Sequence, residues 1–268
     1  MIGRTEIEAL LVAHGTVAVA IVTEAKGSSP REAGAMLLVY PGGMLGTIGG
    51  GTVEHQVAAQ AQQLLESGGG PVRLSFPLGP DLDQCCGGHM QVWLGLAAPT
   101  TGLIWPNGPA FPPPPSKRPV ILYGAGHVGQ AILRALSPLP FHVTLVDARP
   151  ALSNEAAPTV STPLPEAIAE EAKPDAFHVV LTHSHAVDLE IVAAILMRPF
   201  GFCGLIGSTT KRSLFERRLS ERGLTSDTIA KLTCPIGLAM LKDKRPEVIA
   251  ASVAVQLLLR DQMLRGSE

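Results

Sequence analysis

The sequence predicts an α/β protein in two parts. An N-terminal mixed α/β domain covers residues 1–98, and a C-terminal Rossmann-like domain, a doubly wound parallel sheet, covers residues 119–268. Three observations carry this reading. Gly124-x-Gly126-x-x-Gly129 stands between a strand-like run and a helix-like one, and Asp147 ends the next strand-like run, 18 residues past Gly129. From Val120 onward, short apolar runs alternate with segments of helical period, the rhythm of a parallel sheet. Between the two parts, Pro99–Pro119 contains eight prolines, four of them consecutive at Pro112–Pro115. Such a segment (linker 99–118) makes an extended spacer that cannot enter a sheet interior.

Thr5 and Glu8 have capping-box spacing, which predicts a first helix over Thr5–His14. Val17–Thr23 and Ala35–Tyr40 read as buried strands, and Met44–Ile48 as a short third one after the turn Pro41-Gly42-Gly43. Val53, Val57, Ala58, Ala61, Leu64 and Leu65 then share one helical face, and the helix ends at Ser67-Gly68. Val72–Phe76 and Gln91–Leu96 complete the strands of the first part. In the second, strands are expected at Val120–Tyr123, Val143–Val146, Phe177–Thr182 and Cys203–Ile206. Helices are expected after Gly126, at Asp188–Met197, at Thr209–Glu221 and from Pro246, the last with Val248, Val255 and Leu259 on its apolar face.

Composition excludes several classes. Apolar residues make up 46% of the chain and mean hydropathy is +0.26, yet there is no run of 18 apolar residues, so no membrane span is expected. Residues Met1–Glu6 carry acid early and lead into an amphipathic pattern, unlike a signal peptide. Net charge is −2 with scattered basic residues, which argues against nucleic acid as a partner. Four cysteines, two of them adjacent, do not make a disulfide scaffold and suit a reducing cytoplasm.

The segments that carry chemistry are two glycine loops, a pair of thiols and two strand ends. Gly46-Thr47-Ile48-Gly49-Gly50-Gly51 feeds a helix N-terminus and reads as an anion cradle, with Glu54 in the first turn as a further ligand partner; a plain hairpin exit is the alternative. The polar loop Gly27–Gly34, with Ser29 and Arg31, is expected near the same sheet end. Gly124, Gly126 and Gly129 would hold a pyrophosphate and Asp147 a ribose hydroxyl, unless the fold has lost its nucleotide. Cys85 and Cys86, flanked by Gly87 and Gly88, suit a thiolate nucleophile, a persulfide carrier or a soft-metal ligand, or else serve as small buried apolar groups. His183, His185 and Asp188 end a strand and open a helix, as a polar site rim or as metal ligands. Ser208, Lys211 and Arg212 mark another strand end and could contact phosphate. Cys203 and Cys234 read as packing residues.

Together, Gly27–Ala35, Gly46–Gly51 with Glu54, Pro77-Leu78-Gly79-Pro80 and Gln84–Gly88, Tyr123–Gly129, Val146–Arg149, Thr182–His185, Gly204–Ser208 and Cys234–Leu238 resemble the xanthine dehydrogenase accessory protein family (XdhC/CoxI). Asp83, where glycine is expected, and Ser29, where threonine is usual, depart from its pattern. The high apolar content predicts a homodimer, and the resemblance implies a chaperone that binds the molybdenum cofactor (molybdopterin) and holds it while a cysteine desulfurase supplies the sulfido ligand. The loaded cofactor then passes to xanthine dehydrogenase. It further implies cofactor contacts at Ser29, Arg31, Gly49, Gly50, Gly51 and Glu54, and molybdenum or sulfur contacts at Cys85 or Cys86. The residues themselves leave two rivals: an NAD(P)-dependent oxidoreductase using the second glycine loop, and a scaffold that holds no cofactor.

Overall fold

The computed structural model describes residues 2–78, 87–99, 109, 117–149 and 159–266. The chain divides into two compact units, Met1–Pro115 and Ser116–Glu268. Most of the segment 99–118, and with it the expected spacer, lies outside the described residues, as do Cys85 and Cys86.

In the first unit, helix α1 (Arg4–His14) leads to strands β1 (Val17–Lys26), β2 (Met36–Tyr40) and β3 (Gly43–Gly46), helix α2 (Gly51–Ser67), and strands β4 (Val72–Leu78) and β5 (Gly88–Ala97). The five strands form an antiparallel sheet in the order β3-β2-β1-β5-β4. Alternation along β1 explains why its first half is apolar throughout: Ala18, Ala20 and Val22 pack with Val53, Val57 and Ala61 of α2, whereas Val17, Val19 and Ile21 pack with Ile7 and Leu11 of α1. Both faces of the sheet are covered, so neither can be polar. The register of β1 against β5 shifts between Val22 and Glu24, and beyond it β1 leaves the core for the loop that starts at Gly27.

The cap of α1 differs from expectation. Gly3 precedes the helix and its N–H donates to the Glu6 carboxylate at 3.0 Å, while Glu8 pairs with Arg4 one turn back. The acid three residues after the cap is therefore Glu6, not Glu8.

The second unit runs through β6 (Arg118–Tyr123), α3 (His127–Leu136), β7 (Phe141–Asp147), β8 (Thr159–Ser161), α4 (Pro165–Glu170), β9 (Phe177–Val180) and α5 (His185–Leu196). It continues with β10 (Phe202–Leu205), α6 (Thr209–Glu221), α7 (Ser226–Ala230), β11 (Leu232–Thr233) and α8 (Pro246–Arg265). The six strands are parallel, in the order β11-β10-β9-β6-β7-β8. The order reverses between β6 and β9, the doubly wound arrangement, and ligands of such sheets bind beyond the strand C-termini at that point. Val120 and Leu122 pack toward α3 and α8, Ile121 and Tyr123 toward α5 and α6.

The face of α8 is a correction. Val255 and Leu259 are 43% and 46% exposed, and the buried face is Ala250, Val253, Ala254 and Leu257, continued by Asp261. Small alanines let α8 approach α3 closely. Asp261 is buried because Arg118 at the start of β6 donates to it at 2.7 Å, and Arg265 donates to its other oxygen at 2.8 Å. A search for large apolar residues passes over both.

Candidate functional site

The loop between β3 and α2 needs its glycines. Gly49, Gly50 and Gly51 all have positive φ (127°, 74° and 66°), and a Cβ on Gly49 would lie 2.6 Å from Pro30. The Ser28–Arg31 and Gly49–Gly51 segments therefore meet at one sheet end, as expected from the hairpin. The loop is not an open anion cradle, however. Glu54 Oε2 accepts from the Thr47 hydroxyl at 2.6 Å, the Ile48 N–H at 2.9 Å and the Gly50 N–H at 3.1 Å, and the Gly49 N–H donates to Thr47 Oγ1 at 3.0 Å. The donors of Ile48, Gly49 and Gly50 are thus satisfied inside the chain, and Glu54 braces the loop through Oε2. Burial works to raise the Glu54 pKa, but the Thr47 hydroxyl and the backbone N–H groups outweigh it and hold the carboxyl below its ordinary value. Removing three donors' common acceptor, Glu54→Ala, is expected to lower stability by about 2 kcal/mol in urea unfolding.

On the other side of Gly49, Pro30, Arg31, Glu32, Ala33 and Ala35 line a hollow of about 350 Å³. Arg31 is exposed, and no ion pair among the described residues occupies its guanidinium. The Ser29 hydroxyl donates to the Arg31 carbonyl at 3.0 Å and fixes the turn that presents Arg31. The loop is tied down further where Ser28 bridges Gly87, and a Cβ on Gly88 would run into the Ser28 carbonyl. Gly87 follows Cys86 directly in the chain.

The second glycine loop lies beyond β6, at the switch point. Its three glycines have different reasons. A Cβ on Gly124, at φ 120°, would lie 2.5 Å from the Leu181 carbonyl oxygen, and one on Gly129 would run into the Gly124 carbonyl, so these two permit close packing of strand and helix. Gly126 has an ordinary extended backbone (φ −69°, ψ −176°) and is exposed, and a Cβ placed there would meet nothing within 4 Å. The fold makes no demand for glycine at 126, whereas a phosphate brought against the N-terminus of α3 does.

Asp147 stands at the end of β7, but the chain already surrounds it. Its carboxylate accepts from the Ala125 N–H at 2.7 Å, the Arg149 N–H at 2.9 Å, and the Arg149 guanidinium at 2.8 and 2.9 Å. The Arg149 hydrogen bonds, opposed by burial and supported by the Ala125 N–H, hold Asp147 far below the usual carboxylate range. A ribose hydroxyl would reach Asp147 by displacing Arg149, a partner that the spacing rule does not reveal.

Beyond β9 the expected rim is partly structural. His183 and His185 are exposed, and the Ser184 hydroxyl caps α5. Asp188 is fully buried instead of facing a ligand: it accepts from the Thr182 N–H and hydroxyl at 2.9 and 2.7 Å and from Lys211 Nζ at 2.6 Å. Lys211, expected at phosphate, is committed to Asp188 and to the Ile206 carbonyl at 2.9 Å. Gly207 leaves room for its stem. The Ser208 hydroxyl caps α6 by accepting from the Lys211 N–H at 3.2 Å. Among the described residues no three His, Cys, Asp or Glu side chains gather as metal ligands. Cys203 is a core residue of β10, its thiol pushed up to about 12 by burial.

Comparison with known proteins follows the same division. A model described as "XdhC Rossmann domain" matches residues 120–257, and one described as "XdhC and CoxI family" matches residues 10–77. The chain belongs to the XdhC and CoxI family. Among curated proteins, the XdhC chain is 29% identical over 251 residues to the uncharacterized protein YqeB of Escherichia coli K12, a match covering 90% of this chain and 43% of that one. It thus spans less than half the length of this relative. A solved structure described as a xanthine dehydrogenase from Bacillus halodurans matches with TM-score 0.77 at 21% identity, over 98% of this chain and 96% of that one, which establishes a shared fold. No helix among the described residues is long and apolar enough to cross a membrane.

Proposed function

We propose that this XdhC chain is a maturation factor that binds the molybdenum cofactor, holds it for sulfuration by a cysteine desulfurase and delivers it to xanthine dehydrogenase. Family membership supports the pathway, and Arg31 supports the site. An exposed guanidinium with no carboxylate partner among the described residues, held over a hollow by the Ser29 turn and Gly49, suits a phosphate or an oxo-metal centre. The glycine nest suits it less, because Glu54 fills it. When bound, the cofactor supplies a soft metal that accepts a terminal sulfido ligand. The chain's part is to grip the anionic end at Arg31 and to offer Cys85 or Cys86, which lead directly into the Gly87 bridge beside that loop. We read the protein as a cofactor-binding chaperone in preference to a turnover enzyme, place it in the cytoplasm and expect a homodimer, read out as twice the chain mass by light scattering.

Arg31→Ala is expected to lower cofactor retention at least about tenfold without loss of folding, because it removes a charge-assisted contact from an exposed position. Cys85→Ser and Cys86→Ser, made separately, show which thiol contributes. Unchanged retention in both removes the thiols from the account.

Gly126 favours a second ligand in the C-terminal unit, a nucleotide, and so keeps the NAD(P)-dependent oxidoreductase as an alternative reading. That alternative requires tight nicotinamide nucleotide binding and turnover of a small substrate; binding without turnover leaves the maturation factor, with a nucleotide as an additional ligand.

A further inference from the structure

The opposite edge of the parallel sheet, where the strands begin, carries a cavity of about 550 Å³ that plays no part in the proposed cofactor site. Gly201 and Phe202 open β10 there, Pro174 lies just before β9, and Lys231 and Thr233 flank the start of β11. The size is that of a small-molecule site. Three cations from separate elements line it: Arg198 just past α5, Lys231 just past α7, and Arg260 on α8. None of the three is joined to a carboxylate among the described residues. The two guanidiniums are instead oriented by backbone carbonyls, Arg198 by Glu170 and Arg260 by Gly201 at 3.1 Å, which aims them without neutralising them. Two carboxylates at this edge are drawn to other cations: Arg118 takes Asp175 at 3.0 Å and Asp261 at 2.7 Å, and Arg265 takes the second oxygen of Asp261. Phe200, Pro174 and Pro199 supply an apolar wall beside the charges.

We propose that this cavity is a second ligand site that takes a small molecule bearing a diphosphate, or a comparable pair of phosphate charges, with an apolar or planar portion against Phe200. Two guanidiniums match phosphate oxygens in pairs, and the ammonium of Lys231 adds a point charge. Concentrating three unneutralised cations in one concavity raises the local concentration of such an anion. The site is separate from the glycine loop, which lies at the other end of the same strands.

The test is calorimetric titration of the full chain with pyrophosphate. Saturable binding is expected, weakened severalfold between about 0.05 and 0.2 M salt because the contacts are charged and partly open to solvent. Lys231→Glu, at an exposed position, is expected to weaken it at least about tenfold, and Arg198→Gln with Lys231→Glu to abolish it, with circular dichroism unchanged. Gly126→Val is expected to leave it within about twofold. No heat in the folded wild-type protein, full affinity in the Arg198/Lys231 variant, or loss in Gly126→Val would each overturn the proposal.

Discussion

Lys211→Ala is expected to destabilise the C-terminal unit by about 3–5 kcal/mol, because it strands a buried carboxylate without its counter-charge. Asp188 has no exposure to solvent, and Lys211 is 9% exposed. Coulomb attraction between them and the hydrogen bonds from Thr182 together offset the desolvation of both charges. Removing the ammonium alone leaves only the Thr182 donors. Removing both charges, as Lys211→Met with Asp188→Asn, is expected to recover most of the loss, since neither residual group is charged. Urea unfolding of the single and double variants gives the coupling directly. A single-variant loss below about 1 kcal/mol would show that water replaces the ammonium. The pair also bears on the candidate nucleotide site. The Ser184 N–H donates to the Thr182 hydroxyl, which in turn donates to Asp188, so Asp188 and Lys211 hold the strand end from which His183 and His185 project.

The second large effect is acid lability from His178. Its ring is buried on β9, with Nδ1 3.1 Å from the Tyr123 hydroxyl, and burial lowers its pKa from 6.5 to about 4. The folded chain therefore keeps this imidazole neutral where the unfolded chain charges it. Below the unfolded value the unfolded state binds more protons, so stability is fully present above pH 6.5 and falls as pH drops toward 4. The loss is about 2 kcal/mol between pH 7 and 5 and about 3 kcal/mol by pH 4, from 1.36 kcal/mol per unit. The carboxylates held low, Asp147 and Glu54 with the more exposed Glu24, Glu190 and Asp243, lose their contributions only as pH falls below their ordinary values of 3.8 and 4.5, so they leave the window from 7 to 5 to the histidine. His178→Gln, which keeps a polar partner for Tyr123, is expected to flatten the slope of stability against pH in that window. An unchanged slope in the variant would assign the sensitivity to another group.

The residues that the sequence disclosed are those with a local cause. Gly49–Gly51 demand positive φ, Gly124 and Gly129 demand close approach, and Asp147 falls where the rule for parallel sheets puts an acid. The alternation of strand and helix from Val120 sets the sheet by topology alone. What stayed hidden are partners chosen by three-dimensional geometry. Nothing in the spacing of Thr47, Gly50 and Glu54 says that one carboxylate oxygen collects three donors, or that Arg149 folds back on Asp147. Lys211 was legible as a cation at a strand end, but Asp188 lies 23 residues earlier and meets it only across neighbouring strands. The strands β8 and β11, three and two residues long, are too short for a periodicity to register. The buried face of α8 is hard to read because alanines and an ion-paired aspartate stand between its large apolar residues Val253 and Leu257.

We propose that this chain carries the molybdenum cofactor, with Arg31 at its anionic end. The most direct measurement is molybdenum and pterin content of the protein purified without oxygen from cells that make the cofactor, alongside Arg31→Ala. Near-equimolar molybdenum with pterin is expected in the wild-type protein and about a tenth of that, or less, in the variant. Folded wild-type protein that carries neither molybdenum nor pterin would contradict it.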